Sequence, residues 1–139
     1  MNETHQSFEL HPQLAQDSAH VTMLSLCEVR LINDANYPWL LLVPQIAGIR
    51  EIHQLSDANQ QTLMHEITHV SKCCEAVTGA DKMNVAALGN MVPQLHVHVI
   101  ARFETDAAWP GPVWGVVPAI PYEQSRLDMF ADKIKAALD

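Results

Sequence analysis

The sequence predicts an α+β domain: a largely antiparallel β-sheet with one long helix inserted between its strands and a second helix at its end. Three observations predict it. Stretches rich in β-branched and apolar residues lie both before and after a single long helical pattern. The 139 residues hold no repeat, low-complexity tract or linker, so they read as one domain over 1–139, large enough to bury a core. The chain closes on an amphipathic stretch, YEQSRLDMFADKIKAALD.

In chain order, SFELHPQLAQDS reads as a short helical stretch interrupted at Pro12. HVTMLSLCEVRLIND, His20 to Asp34, reads as a strand closing on an Asn-Asp turn. PWLLLVP, Pro38 to Pro44, is apolar on both faces, which places it centrally in the sheet. Ser56 or Asp57 then caps a helix that runs to about Val77 and stops at Thr78-Gly79. MNVAAL and QLHVHVIARF read as two further strands joined through GNMVP. A Trp- and Pro-rich loop, DAAWPGPVWGVVP, leads to the final helix.

Bulk composition excludes some functions. Sixteen acids against eight Lys and Arg give a net charge of -8, which argues against a phosphate-backbone binder, so no nucleic-acid partner is expected. A single local site can still recognise one phosphate. Three cysteines, two of them adjacent, form no disulfide framework and fit a reducing compartment. The opening residues lack a basic start and an apolar run, and YPWLLLVPQIAGI is too short to span a bilayer. A cytoplasmic protein with no membrane partner is the expectation.

Two histidine-bearing stretches compete for the active site. The first, His65-Glu66-Ile67-Thr68-His69, has the H-E-x-x-H spacing that holds zinc on one helical face in metalloproteases. The helix's apolar residues Leu63, Ile67, Val70, Cys74 and Val77 are spaced 4, 3, 4 and 3, forming one stripe. His65 and His69 fall away from that stripe. The extended motif would also need Gly at 72 and His at 75, where this chain has Lys72 and Glu75. This motif reads as a solvated helix face.

The second stretch, QLHVHVIAR, alternates cleanly. Leu95, Val97, Val99 and Ala101 point one way, towards a core; Gln94, His96, His98, Ile100 and Arg102 point the other. That second set places an amide, two imidazoles and a guanidinium on one sheet face, roughly 7 Å apart. Such a row suits an anion or phosphoryl group. An imidazole can attack phosphorus while neighbouring donors stabilise the charge.

The pattern Gln94-Leu95-His96-Val97-His98-Val99-Ile100 resembles the histidine-triad (HIT) motif, with Gln94 in place of its first histidine. LLLVP, IREIHQL and the Gly89-Asn90 loop are similar to further segments of that family, over roughly residues 20–115. The resemblance implies a HIT-like fold and hydrolysis or transfer at the α-phosphate of a nucleoside polyphosphate or phosphoramidate, as in diadenosine polyphosphate hydrolases. It implies a covalent nucleotidyl-His96, with His98 stabilising the phosphate and the Gln94 carbonyl orienting His96. Asn84, Asn90, Asn33, Asp34 and Arg102 are the substrate-binding candidates. For Asn33 and Asp34 a turn-forming role is an equal alternative, and for Arg102 an ion pair with Glu104 or a helix acid. No metal is required in the site, though Mg can accompany a polyphosphate, and a homodimer is implied. Met91 stands where members often carry Ser or Thr, and the Gln94 amide cannot carry a proton. A non-catalytic nucleotide sensor on the same fold is therefore an alternative. A cupin-like metal site built from Gly89, His96, His98, Glu104 and Gly111 is another, disfavoured by spacing and by the long helix.

Overall fold

The computed structural model describes residues 7–139. The opening hexapeptide, part of the stretch read for an export signal, lies outside the described residues. Five antiparallel strands form one sheet in the order β1-β2-β3-β5-β4: β1 Ser18–Met23, β2 Cys27–Ile32, β3 Trp39–Pro44, β4 Lys82–Ala86 and β5 Val97–Arg102. Among the described residues three α-helices accompany them: α1 Pro12–Asp17, α2 Asp57–Thr78 and α3 Gln124–Leu138. No helix among the described residues is long and apolar enough to cross a membrane.

The two ends of α2 follow their sequence signals. The Ser56 side chain accepts from Asn59 N, and Gly79 closes the helix at φ 71, a left-handed conformation that costs glycine little. Elsewhere three expectations need correction. Pro12 does not interrupt a helix but begins one, where its missing N–H is harmless and His11 Nδ1 caps by accepting from Gln13 N. The predicted strand over His20–Asp34 is a hairpin, β1 and β2, turning at Leu24–Leu26. That turn has no Gly, Pro or Asn; it is fixed from afar.

Its fixing group is Glu66, the glutamate of the H-E-x-x-H pattern. The carboxylate is buried and accepts from Leu26 N and Cys27 N, both at 2.9 Å. It sits about 60° from the centre of the apolar stripe, on its flank, where a side chain reaches the sheet. His65 and His69 are both exposed, as expected, and His69, at about 120°, also places Nε2 3.0 Å from the Leu138 carbonyl at the end of α3. The face read as solvated thus holds one buried carboxylate, Glu66, between two exposed histidines. Among the described residues no three His, Cys, Asp or Glu side chains are gathered to hold a metal.

The sheet has two unlike faces. On one, Leu40, Leu42, Val97, Val99 and Ala101 pack with Leu63, Ile67, Val70, Cys74, Leu127 and Ile134 of α2 and α3 in the main core. Cys27 and Cys74 are fully buried there, and burial is the main reason both thiol pKa values are raised, Cys74 to about 11. On the other face Leu41 and Val43 meet Leu14 of α1 and Val92, while Trp39 and Ile100 meet Tyr37 and Val113. This second face is only partly covered, and the gap is the site.

Arg102 closes the far end of β5. Only 2 % exposed, it donates twice to Asp106 (Nε–Oδ2 2.8 Å, Nη2–Oδ1 3.0 Å), to Asn84 Oδ1 and to the Gly111 carbonyl. Its guanidinium also lies 5.9 Å from the ring centroids of Tyr37 and Trp109. The Arg102 bonds, opposed by burial, and the backbone N–H groups of Phe103, Ala108 and Trp109 hold the Asp106 pKa down at about 2. The pair fastens the loop after β5 to the sheet. Because the folded value lies below the usual 3.8, its stabilisation is present above pH 4 and fades as pH falls towards 2. Asp106→Ala strands a buried guanidinium, and urea denaturation at pH 7 is expected to show a loss of about 3–5 kcal/mol.

Candidate active site

A cavity of about 850 Å³ opens over the uncovered sheet face. His96 and His98 form part of its floor, flanked by Trp39 and Leu41 of β3. Asn33 and Asp34 lie at one side, the Leu88–Val92 loop at another, and Val113 and Trp114 above. Leu14, Gln16 and Asp17 of α1 complete the wall. Strand register explains the floor. His98 pairs with Leu41 of β3 on one side and Ala86 of β4 on the other, so a small neighbour leaves the imidazole accessible beside a large one.

The two imidazoles lie with ring centroids 5.0 Å apart, and their hydrogen bonds assign opposite tautomers. His96 Nδ1 is 2.7 Å from the Gln94 carbonyl, which can only accept. The proton is therefore on Nδ1, and Nε2 keeps a lone pair. His98 Nδ1 is 2.9 Å from the Trp39 indole N–H, which can only donate. Here Nδ1 is the acceptor and Nε2 carries the proton. The cavity floor thus offers one nucleophilic nitrogen and one N–H donor side by side. Burial, and secondarily the neighbouring His96, hold the His98 pKa down to about 4, so it is neutral at physiological pH. Trp114 packs edge-on against both His98 (5.0 Å) and Trp39 (5.6 Å) and roofs the pair.

The substrate-binding candidates divide. Asn90, Asn33 and Asp34 line the cavity. Gly89, at φ 77, takes the left-handed turn that carries the loop past His96. Met91 turns outward, 93 % exposed. Asn33 and Asp34 also do structural work: Asn33 Oδ1 accepts from Tyr122 N, and Asp34 Oδ1 accepts from Asn36 N and Ile120 N. Asn84 and Arg102 do not reach the cavity; they bond to each other in the clamp at the end of β5, and the acid that pairs with Arg102 is Asp106, not Glu104 or a helix residue. The Gln94 side chain is also elsewhere. Its carbonyl orients His96, but its amide bonds to Glu9 and His11. Trp39 and α1 escaped sequence reasoning as site residues. Trp39 shares the parity of Leu41 on its strand, but only the pairing of β3 with β5 shows that this parity faces the histidines.

A family model of the HIT domain matches residues 13–105. The chain belongs to the HIT family. Two HIT proteins of known structure resemble it over nearly their whole lengths. The histidine triad protein of Bradyrhizobium japonicum is 44% identical, covers 96% of this chain and 100% of its own, and superposes with a TM-score of 0.94. That of Marinobacter aquaeolei is 47% identical over 96% and 97%, with a TM-score of 0.93. A hypothetical histidine triad nucleotide-binding protein of Sulfolobus tokodaii shares the fold alone, at 16% identity, TM-score 0.66 and coverage of 87% and 83%. No curated protein matches closely enough to count. An antiparallel sheet with accompanying helices, as the sequence predicted and here of five strands, is the HIT architecture. Burial and the neighbouring His96 keep His98 neutral, and the bond from Trp39 is expected to hold it as the Nε2-protonated tautomer. Nitrogen-15 NMR of ring-labelled protein should show that tautomer down to about pH 5, and Trp39→Phe should raise the His98 pKa and populate the other tautomer.

Proposed function

We propose that this HIT protein hydrolyses a nucleotide at its α-phosphate through a covalent nucleotidyl-His96 intermediate. The observation that carries the reading is the pair of opposite tautomers: a lone pair on His96 Nε2 beside a proton on the neighbouring imidazole. His96 Nε2 attacks phosphorus, and the bond to the leaving group breaks. The His98 N–H and the loop amide of Asn90 donate to the charged phosphoryl oxygens. Water then cleaves the P–N bond and returns His96 to its starting tautomer. The apolar and aromatic walls suit a nucleobase, while Asn33 and Asp34 offer acceptors for sugar hydroxyls.

Gln94 bears on the choice of substrate. A primary amide cannot hand a proton to a departing amine, whereas a departing phosphate leaves as a stable anion and needs none. Phosphoanhydrides therefore suit this site better than phosphoramidates. The same observation favours one second reading, a nucleotide sensor that binds without turnover.

AMP release from adenosine polyphosphates and from an AMP phosphoramidate separates these readings. Wild type is expected to release AMP, faster from the anhydrides, with and without EDTA. His96→Ala should lower the rate by on the order of 10³-fold or more while AMP still binds. Binding without release by wild type would establish the sensor instead.

A further inference from the structure

The Gln94 side chain is turned away from the histidines and onto the segment that precedes α1. Its Oε1 accepts from His11 N at 2.8 Å, and its Nε2 donates to the Glu9 carbonyl at 2.8 Å. Both bonds go to backbone, so they hold the path of the chain whatever side chains it carries. Glu9–His11 also lies outside the span matched by the family model, which begins at residue 13.

The residues just beyond this clip form one wall of the cavity. His11 and Pro12 start α1; Leu14 is buried on the site face with Leu41, Val43 and Val92. Gln16 and Asp17 line the cavity beside Asn33 and Asp34, and the Asp17 carbonyl accepts from Asn33 N at 2.9 Å. A six-residue helix has no stability of its own. Its position comes from the burial of Leu14 and from its two ends, tied by Gln94 at one and by Asn33 at the other. The polar groups at the Asn33 end are amides and acceptors, Gln16, Asp17, Asn33 and Asp34, with no cation among them. That end suits an uncharged, hydroxyl-bearing part of a ligand and repels a phosphate.

We propose that Gln94 is a positioning residue that clips Glu9–His11 to the segment carrying His96, and so fixes α1 as a wall selecting the uncharged, hydroxyl-bearing end of the ligand. The proposal rests on the nucleotide reading above, in which that end is the sugar. The bidentate clip needs an acceptor and a donor on one short planar group. Glutamate keeps the acceptor for His11 N but loses the donor for the Glu9 carbonyl, and alanine loses both.

The test uses full-length wild type, Gln94→Glu and Gln94→Ala. AMP affinity is measured by calorimetry, amide exchange by mass spectrometry, and kcat and KM on an adenosine polyphosphate. Breaking the clip lowers the fraction of molecules with α1 in place, so apparent AMP affinity is expected to weaken roughly tenfold in Gln94→Ala and less in Gln94→Glu. KM should rise in step, by more than any accompanying fall in kcat. Exchange should quicken over residues 9–17 and remain unchanged in α2. Unchanged AMP affinity, or exchange quickened throughout the chain, would overturn the proposal. So would a loss of kcat at constant KM, which would put the amide at the reacting phosphate. Failure of wild type to bind AMP sinks the nucleotide reading and the selectivity argument with it; wild-type binding untouched by Gln94→Ala sinks the wall alone.

Discussion

The alternation of β5 constrains everything else in this molecule. Val97, Val99 and Ala101 must reach the core beneath α2 and α3, so His98, Ile100 and Arg102 must face the other way. A one-residue slip in register would bury the imidazole and guanidinium in the main core and expose three apolar side chains. The polar face then has to satisfy its own donors and acceptors, and each residue does so differently. His96 uses the backbone two residues before it, His98 an indole on the neighbouring strand, and Arg102 the loop after its own strand.

These solutions explain why charge is absent at one end of β5 and concentrated at the other. Burial, and secondarily the neighbouring His96, make a second proton on His98 unfavourable, and the indole N–H facing its Nδ1 favours the same neutral ring. Arg102 remains ionised because Asp106 meets it with both oxygens and backbone N–H groups stabilise Asp106 in turn. The loop fixed in this way runs on to Val113 and Trp114, which roof the cavity. The clamp and the histidines are therefore linked through one loop without touching.

Much of this was legible in the sequence, and what was missed has a common physical cause. Period-two alternation in QLHVHVIAR and the spacing of the α2 stripe are local signals, and they located the sheet face, the helix and the paired histidines. The hairpin turn at Leu24–Leu26 was not legible because its determinant, Glu66, lies some forty residues along the chain. Trp39 has no local signal either, since its role depends on which strand lies next to it. Asn84 and Arg102 had the right residue types for binding phosphate. Their partners Asp106 and Gly111 come from a loop whose path no periodicity describes.

The three cysteines sit at graded depths. Cys27 and Cys74 are sealed in the core as protonated thiols, while Cys73, one residue along the same helix, is only partly covered, with Sγ near the Ala137 carbonyl. Only the thiolate reacts with alkylating reagents, so the two sealed sulfurs are silenced both by lack of access and by suppressed ionisation. A neutral alkylating reagent therefore reaches Cys73 in the folded chain and the two sealed thiols only when the sheet–helix core opens. The native chain carries its own clock for that opening.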